Sequence, residues 1–227
     1  QHNPPVQQQL LERGSLRILS TLFFLQDNSS SDDGQYRARI MQAMSANVRS
    51  YDTAETVFCE LEQSPSLLEL GLTMDGTTSS TALRKRTLFF LRALVTSDAA
   101  ARTRIRRFAN CIILVIENVL LVSEQDHELV EMALELVQQV LEQRTSVDAV
   151  LTRKDHLAAK AVERVTAIRT MTGDEREYGA VELRLWESVL TLLARAVPDN
   201  DDEQQQQQEQ STEQEESSAA HPLLLEQ

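Results

Sequence analysis

The 96 residues from 77 to 172 contain none of the chain's six Gly and five Pro. Strands must be joined by turns, and turns draw on Gly and Pro, so a stretch of this length without either argues against a sheet. Leu, Ala, Arg, Glu and Val recur there at helical spacing, which predicts helices throughout. The expected fold class is all-α.

Within this pattern lies a repeat. Tyr36–Arg49 (YRARIMQAMSANVR) aligns without a gap on residues 83–96 (LRKRTLFFLRALVT) at an offset of 47, with Arg37/Arg84, Arg39/Arg86, Ala46/Ala93 and Val48/Val95 in register. A third copy, Glu128–Glu142, follows with an ambiguous register. Shorter helices are predicted before each long one: Pro4–Arg13 and Ser15–Gln26, then Asp52–Gln63 and Ser66–Met74, then Ala99–Phe108 and Cys111–Val122. Gly14 and Ser64-Pro65 are expected to turn the chain between paired short helices. A helical period near 40–47 with three helices per unit is the armadillo pattern rather than the two-helix one, so the expected architecture is an armadillo-like right-handed superhelix, an α-solenoid.

Boundaries follow from composition. Residues 1–145 are read as about three repeat units and 146–198 as C-terminal capping helices. In the cap, Val181, Leu185, Val189 and Leu193 are expected on one line, with Trp186 and Leu190 beside it. Residues 199–227 hold five consecutive Gln and nine acids with no Lys or Arg, and are read as a disordered acidic, Gln-rich tail. Gln26–Gln35 is read as a second polar loop. The opening at Gln1 and the uncapped apolar face of the first unit lead to the expectation of a fragment.

The formal net charge of −13 divides in the same way, with −9 in the tail and −4 in residues 1–198. A chain of this balance is not built for unspecific adhesion to nucleic acid. No apolar run approaches the length of a membrane span, the longest being Cys111–Ile116. Cys59 and Cys111 cannot form a disulfide framework and read as core thiols. His2, His127, His156 and His221 have no metal spacing, and neither a phosphate-binding Gly loop nor a nucleophile elbow occurs. No catalytic, metal or cofactor residues are assigned. Asn28-Ser29-Ser30 is a lone formal glycosylation sequon.

What remains is a binding surface. In an armadillo stack the long helices line a concave groove. Their exposed rows would be Arg39, Gln42, Ser45, Ala46 and Arg49, then Lys85, Arg86, Phe89, Arg92, Ala93 and Thr96, then Glu128, Glu131, Glu135, Gln138 and Glu142. Phe89 is expected to be exposed, with Phe90 in the core, as one apolar anchor among charges. Residues 81–107 carry eight bases and one acid, whereas 117–142 carry seven acids and no base. This is either a bipolar docking surface or a set of ion pairs between units.

Several stretches together resemble one family, the armadillo-type nucleotide-exchange factors of the heat-shock protein 70 chaperones. The resemblance is carried by residues 1–19 (QHNPPVQQQLLERGSLRIL), Tyr36–Arg49, Ala54–Leu61 (AETVFCEL), Ala82–Ser97 (ALRKRTLFFLRALVTS), Glu128–Asp148 and the closing helix around Glu182–Leu193. The sequence departs from the family at Gln42, where an aromatic is usual, and in the Asn28–Asp33 insertion. The resemblance implies a monomeric co-chaperone, without cofactor, that clasps the partner's nucleotide-binding domain and promotes ADP release. Arg39, Gln42, Lys85, Arg86, Phe89, Arg92, Glu128, Glu131 and Glu135 are the candidate contacts. A cytoplasmic location is expected, the lumen of the endoplasmic reticulum being the alternative. The other functional class in view is an armadillo adaptor for a peptide or regulatory protein. It lacks its usual Trp and Asn ladder here, because those positions hold Gln42/Ala46 and Phe89/Ala93.

Overall fold

Helix begins at Asn3, whose side chain caps the backbone N–H of Val6 ahead of Pro4 and Pro5. Two prolines suit this place, since the first helical N–H groups lack partners in any case. In the computed structural model the described residues are 3–25, 33–73, 80–96, 101–122, 124, 126–143 and 148–196. Among them there is helix and no strand. The described residues all fall within one compact unit, Gln1–Ala196. The predicted tail and the sequon lie outside the described residues.

The helices are α1 (Pro4–Glu12), α2 (Ser15–Leu25), α3 (Asp33–Val48), α4 (Asp52–Glu60), α5 (Ser64–Leu72), α6 (Thr81–Val95), α7 (Ala101–Arg107), α8 (Ala109–Val115), α9 (His127–Glu142), α10 (Asp148–Leu151), α11 (Lys154–Thr170), α12 (Asp174–Tyr178) and α13 (Ala180–Arg195). Gly14 turns the chain from α1 to α2 with φ +71°, a conformation that costs a glycine nothing. After α11 ends at an extended Met171, Gly173 takes φ +63° at the N-cap of α12.

Some boundaries differ from expectation. Ser64-Pro65 opens α5 instead of forming the turn, because proline is well placed at a helix start. Gln35 belongs to α3 and not to a loop, and residues 26–32 of that expected loop are outside the described residues. The last expected turn of α8 widens into a π-helical turn, Ile116–Leu120. Residues 148–170 divide at Thr152-Arg153 into α10 and α11. The short α12 has no counterpart in the sequence reading.

Packing runs in rows. The long helices meet in chain order, α3 on α6, α6 on α9 and α9 on α13, with α11 also against α13. A second row joins α2, α5, α8 and α10. One apolar cluster runs through these rows, from Leu16 and Phe23 to Trp186 and Leu193. At the α5–α6 contact, Gly71 admits Thr87, and a Cβ on Gly71 would stand 2.3 Å from Thr87 Oγ1. Polar ties secure the helix ends. The buried Gln7 amide donates to the carbonyls of Ala46, in the last turn of α3, and Arg49, just past it, at 3.0 Å each. Gln143 Nε2 donates to Val95 O at the end of α6, at 3.0 Å. Ser80 Oγ accepts from Leu83 N–H at the start of α6 and donates to Gly34 O on α3. These contacts satisfy helix-terminal groups that would otherwise face an apolar interior.

The closing helix is rotated from its expected setting. Val181 is exposed and Glu182 is 2 % exposed, so the buried line is Glu182, Trp186, Val189 and Leu193. A glutamate can occupy this line because Arg164 meets it through two hydrogen bonds of 2.9 Å and Trp186 Nε1 donates to it at 3.0 Å.

Candidate partner-binding site

The expected contact residues lie on α3, α6 and α9, three helices that follow one another in the long row. On α3, Arg39, Gln42 and Ala46 are exposed, as is Arg49 just past its end. Ser45, expected in the same row, is instead buried at 5 % exposure, because it faces the α6 side of its helix and lines the depression between them. On α6, Phe89 is 39 % exposed while Phe90 is fully buried, its ring centroid 4.8 Å from that of Phe58. The Arg49 guanidinium lies over the Phe89 ring, 4.5 Å from its centroid. A cation on an aromatic face is favourable and keeps most of its N–H groups available.

The charges are not free along the whole row. Lys85 donates to Glu128 at 2.5 Å and pairs with Asp126 at 2.9 Å, Arg92 pairs with Glu135, and Arg84 pairs with Glu124 at 2.8 Å. Two of these pairs, Lys85–Glu128 and Arg92–Glu135, are both 43 residues apart, so they also settle the register of α9 against α6. Much of the expected bipolar surface is therefore a ladder of pairs between neighbouring helices. Further along, Glu55 and Arg104 form a buried pair at 2.6 Å.

The pairing moves proton affinities. Hydrogen bonds to Glu128 and then Asp126 push the Lys85 ammonium above the ordinary lysine value. Burial raises the Asp126 carboxyl, but hydrogen bonds from Lys85 and from the Leu129 N–H outweigh it and hold the group below the ordinary value. Glu131 is pushed up, first by burial and then by the charges of Glu135 and Glu182.

Arg39 and Arg86 form no ion pair among the described residues. Gln42, Lys85, Arg86, Phe89 and Glu128 share one depression of about 440 Å³, together with Ser45, Ala46, Arg49 and Met132. Met132 was not expected there; its spacing of four from Glu128 was the signal that could have placed it. Glu131 opens instead into a second depression, shared with Glu128, Ile168, Met171 and Tyr178. Arg39, Arg92 and Glu135 line neither. The expected contacts thus divide into a mainly cationic pocket, a paired ladder and an acidic pocket, with Arg39 outside all three.

Among the described residues no group of three or more His, Cys, Asp or Glu could hold a metal ion, and no helix is long and apolar enough to cross a membrane. Burial raises both thiols above the ordinary cysteine value, Cys111 strongly. No family profile, curated protein or solved structure matches the chain.

Proposed function

We propose that this chain is a nucleotide-exchange co-chaperone, built as an armadillo-like right-handed superhelix, that binds the nucleotide-binding domain of a heat-shock protein 70. The reading begins with the family resemblance of the sequence. The packing of long helices on long helices and of short ones on short ones supports it. The observation that carries it is the depression across α3, α6 and α9, where half-exposed Phe89 stands among Arg49, Lys85 and Arg86. An aromatic anchor ringed by arginine is the chemistry that concentrates binding energy at protein interfaces.

The mechanism is one of linkage. A factor that binds the open, nucleotide-free form of the chaperone better than the closed ADP form must weaken ADP by the same factor. ADP leaves, ATP enters, and the factor itself catalyses no bond change. Cytoplasm is the proposed location and a monomer the proposed state.

The test is release of fluorescent ADP from a heat-shock protein 70, with and without this chain. Release accelerated by the chain, and slowed again on Phe89→Ala, is expected. Unchanged release together with no binding to the nucleotide-binding domain would remove this reading.

A further inference from the structure

We propose that the α3–α6–α9 depression is an anchor pocket for a carboxylate side chain of the protein partner, one flanked by apolar surface. The identity of that partner rests on the reading above; the chemistry of the pocket does not. Two of its charged residues, Lys85 and Glu128, neutralise each other. Arg49 and Arg86 make no ion pair among the described residues, which leaves the pocket with an excess of two cations. Arg49 is held in place by the Phe89 ring rather than by an acid.

A third observation is independent of charge. Ser45, 5 % exposed and lining the depression, has a buried hydroxyl with no hydrogen-bond partner. A buried polar group left unsatisfied is costly, and turning this hydroxyl out of its sealed position towards a ligand oxygen in the depression would relieve it. Gln42 adds an amide donor, and Phe89 and Met132 supply an apolar wall. Arginines with a hydroxyl and an amide are donors, and what suits them together is a planar anion that accepts several hydrogen bonds. The apolar wall then selects a carboxylate on an apolar stem over a bare inorganic anion.

Two arms test this with the full chain. The first records NMR shifts of the Arg86 Nε and Met132 methyl groups during titration with 3-phenylpropanoate, its neutral amide, or inorganic phosphate. Shifts are expected with the acid alone, lost in Arg86→Glu and Phe89→Ala and weakened in Ser45→Ala. Equal shifts with the amide, shifts with phosphate alone, or none at all would overturn the proposal. The second arm measures binding to the nucleotide-binding domain of heat-shock protein 70. A loss on the order of tenfold is expected for Arg86→Glu, with helicity retained by circular dichroism. Arg86→Gln serves as a milder variant should the reversal fail to fold. Wild-type binding unchanged in Arg86→Glu, Arg86→Gln and Ser45→Ala would sink the pocket and leave the functional reading standing. Acid-specific shifts with no binding to the domain would do the reverse.

Discussion

Glu182 shows how one buried charge can be built into an apolar line. It accepts two hydrogen bonds from Arg164 and one from the indole of Trp186, the chain's only tryptophan. Its neutral analogue keeps the shape and loses the charge, so Glu182→Gln should cost about 2 kcal/mol, the range for hydrogen bonds to charged groups. Urea unfolding reads the stability and Trp186 emission reads the site; an unchanged midpoint would show that the pair contributes nothing. The two thiols make a second test at this scale. Cys59 is half-buried and Cys111 fully buried. Burial disfavours the reactive thiolate of both. A disulfide reagent should therefore label Cys59 slowly and Cys111 only when the chain is unfolded. Rapid labelling of Cys111 in the native protein would contradict its placement.

At the scale of the element, α9 is informative because its start carries three duties. Asp126 caps the Leu129 N–H at 3.1 Å, pairs with Lys85 on α6, and so fixes the register of one long helix against the next. Asp126→Ala should cost about 1 kcal/mol through the lost cap. Its carboxyl is held below the ordinary value of 3.8. The stability it contributes is therefore complete above pH 3.8 and disappears as the pH falls through the lowered folded value. Thermal melts of wild type and variant should differ at pH 6 and converge under acid; a constant difference across that range would exclude the ionic part. Glu131 has the opposite sign. Its proton affinity is raised in the fold, so ionising it above the ordinary value opposes folding, and this penalty is relieved as the pH falls. The existence and type of the longer helices were legible from apolar spacing alone. Their ends were not, as Ser64-Pro65 shows, because a proline suits a turn and a helix start equally well.

The whole unit from Gln1 to Ala196 holds one continuous apolar cluster, so its last helix is structural and not ornamental. Leu129, Val130, Ala133, Leu134, Leu136, Val137, Val140 and Leu141 of α9 are all buried, more than one face of a helix can hide against a single neighbour. α13 covers part of that surface. A chain ending at Gly173 should bind a hydrophobic dye and melt at least several degrees below one ending at Ala196. Equal melting temperatures would mean that α13 is dispensable.

The sequence by itself determined the helical class, the order of short and long helices up to α9, the exposure of Phe89 over Phe90, and the turn at Gly14. These are local matters, decided by spacing, by backbone freedom and by the absence of turn residues across 77–172. Only tertiary structure decided which charges are free. Lys85 and Arg92 read the same as Arg86 along a helix, yet the first two meet Glu128 and Glu135 across the α6–α9 contact and the third meets no acid among the described residues. The same contact sets Met132 into the pocket, and the α3–α6 packing buries Ser45. Pairing depends on the register between helices, and register is a property of the packed molecule that no single helix carries.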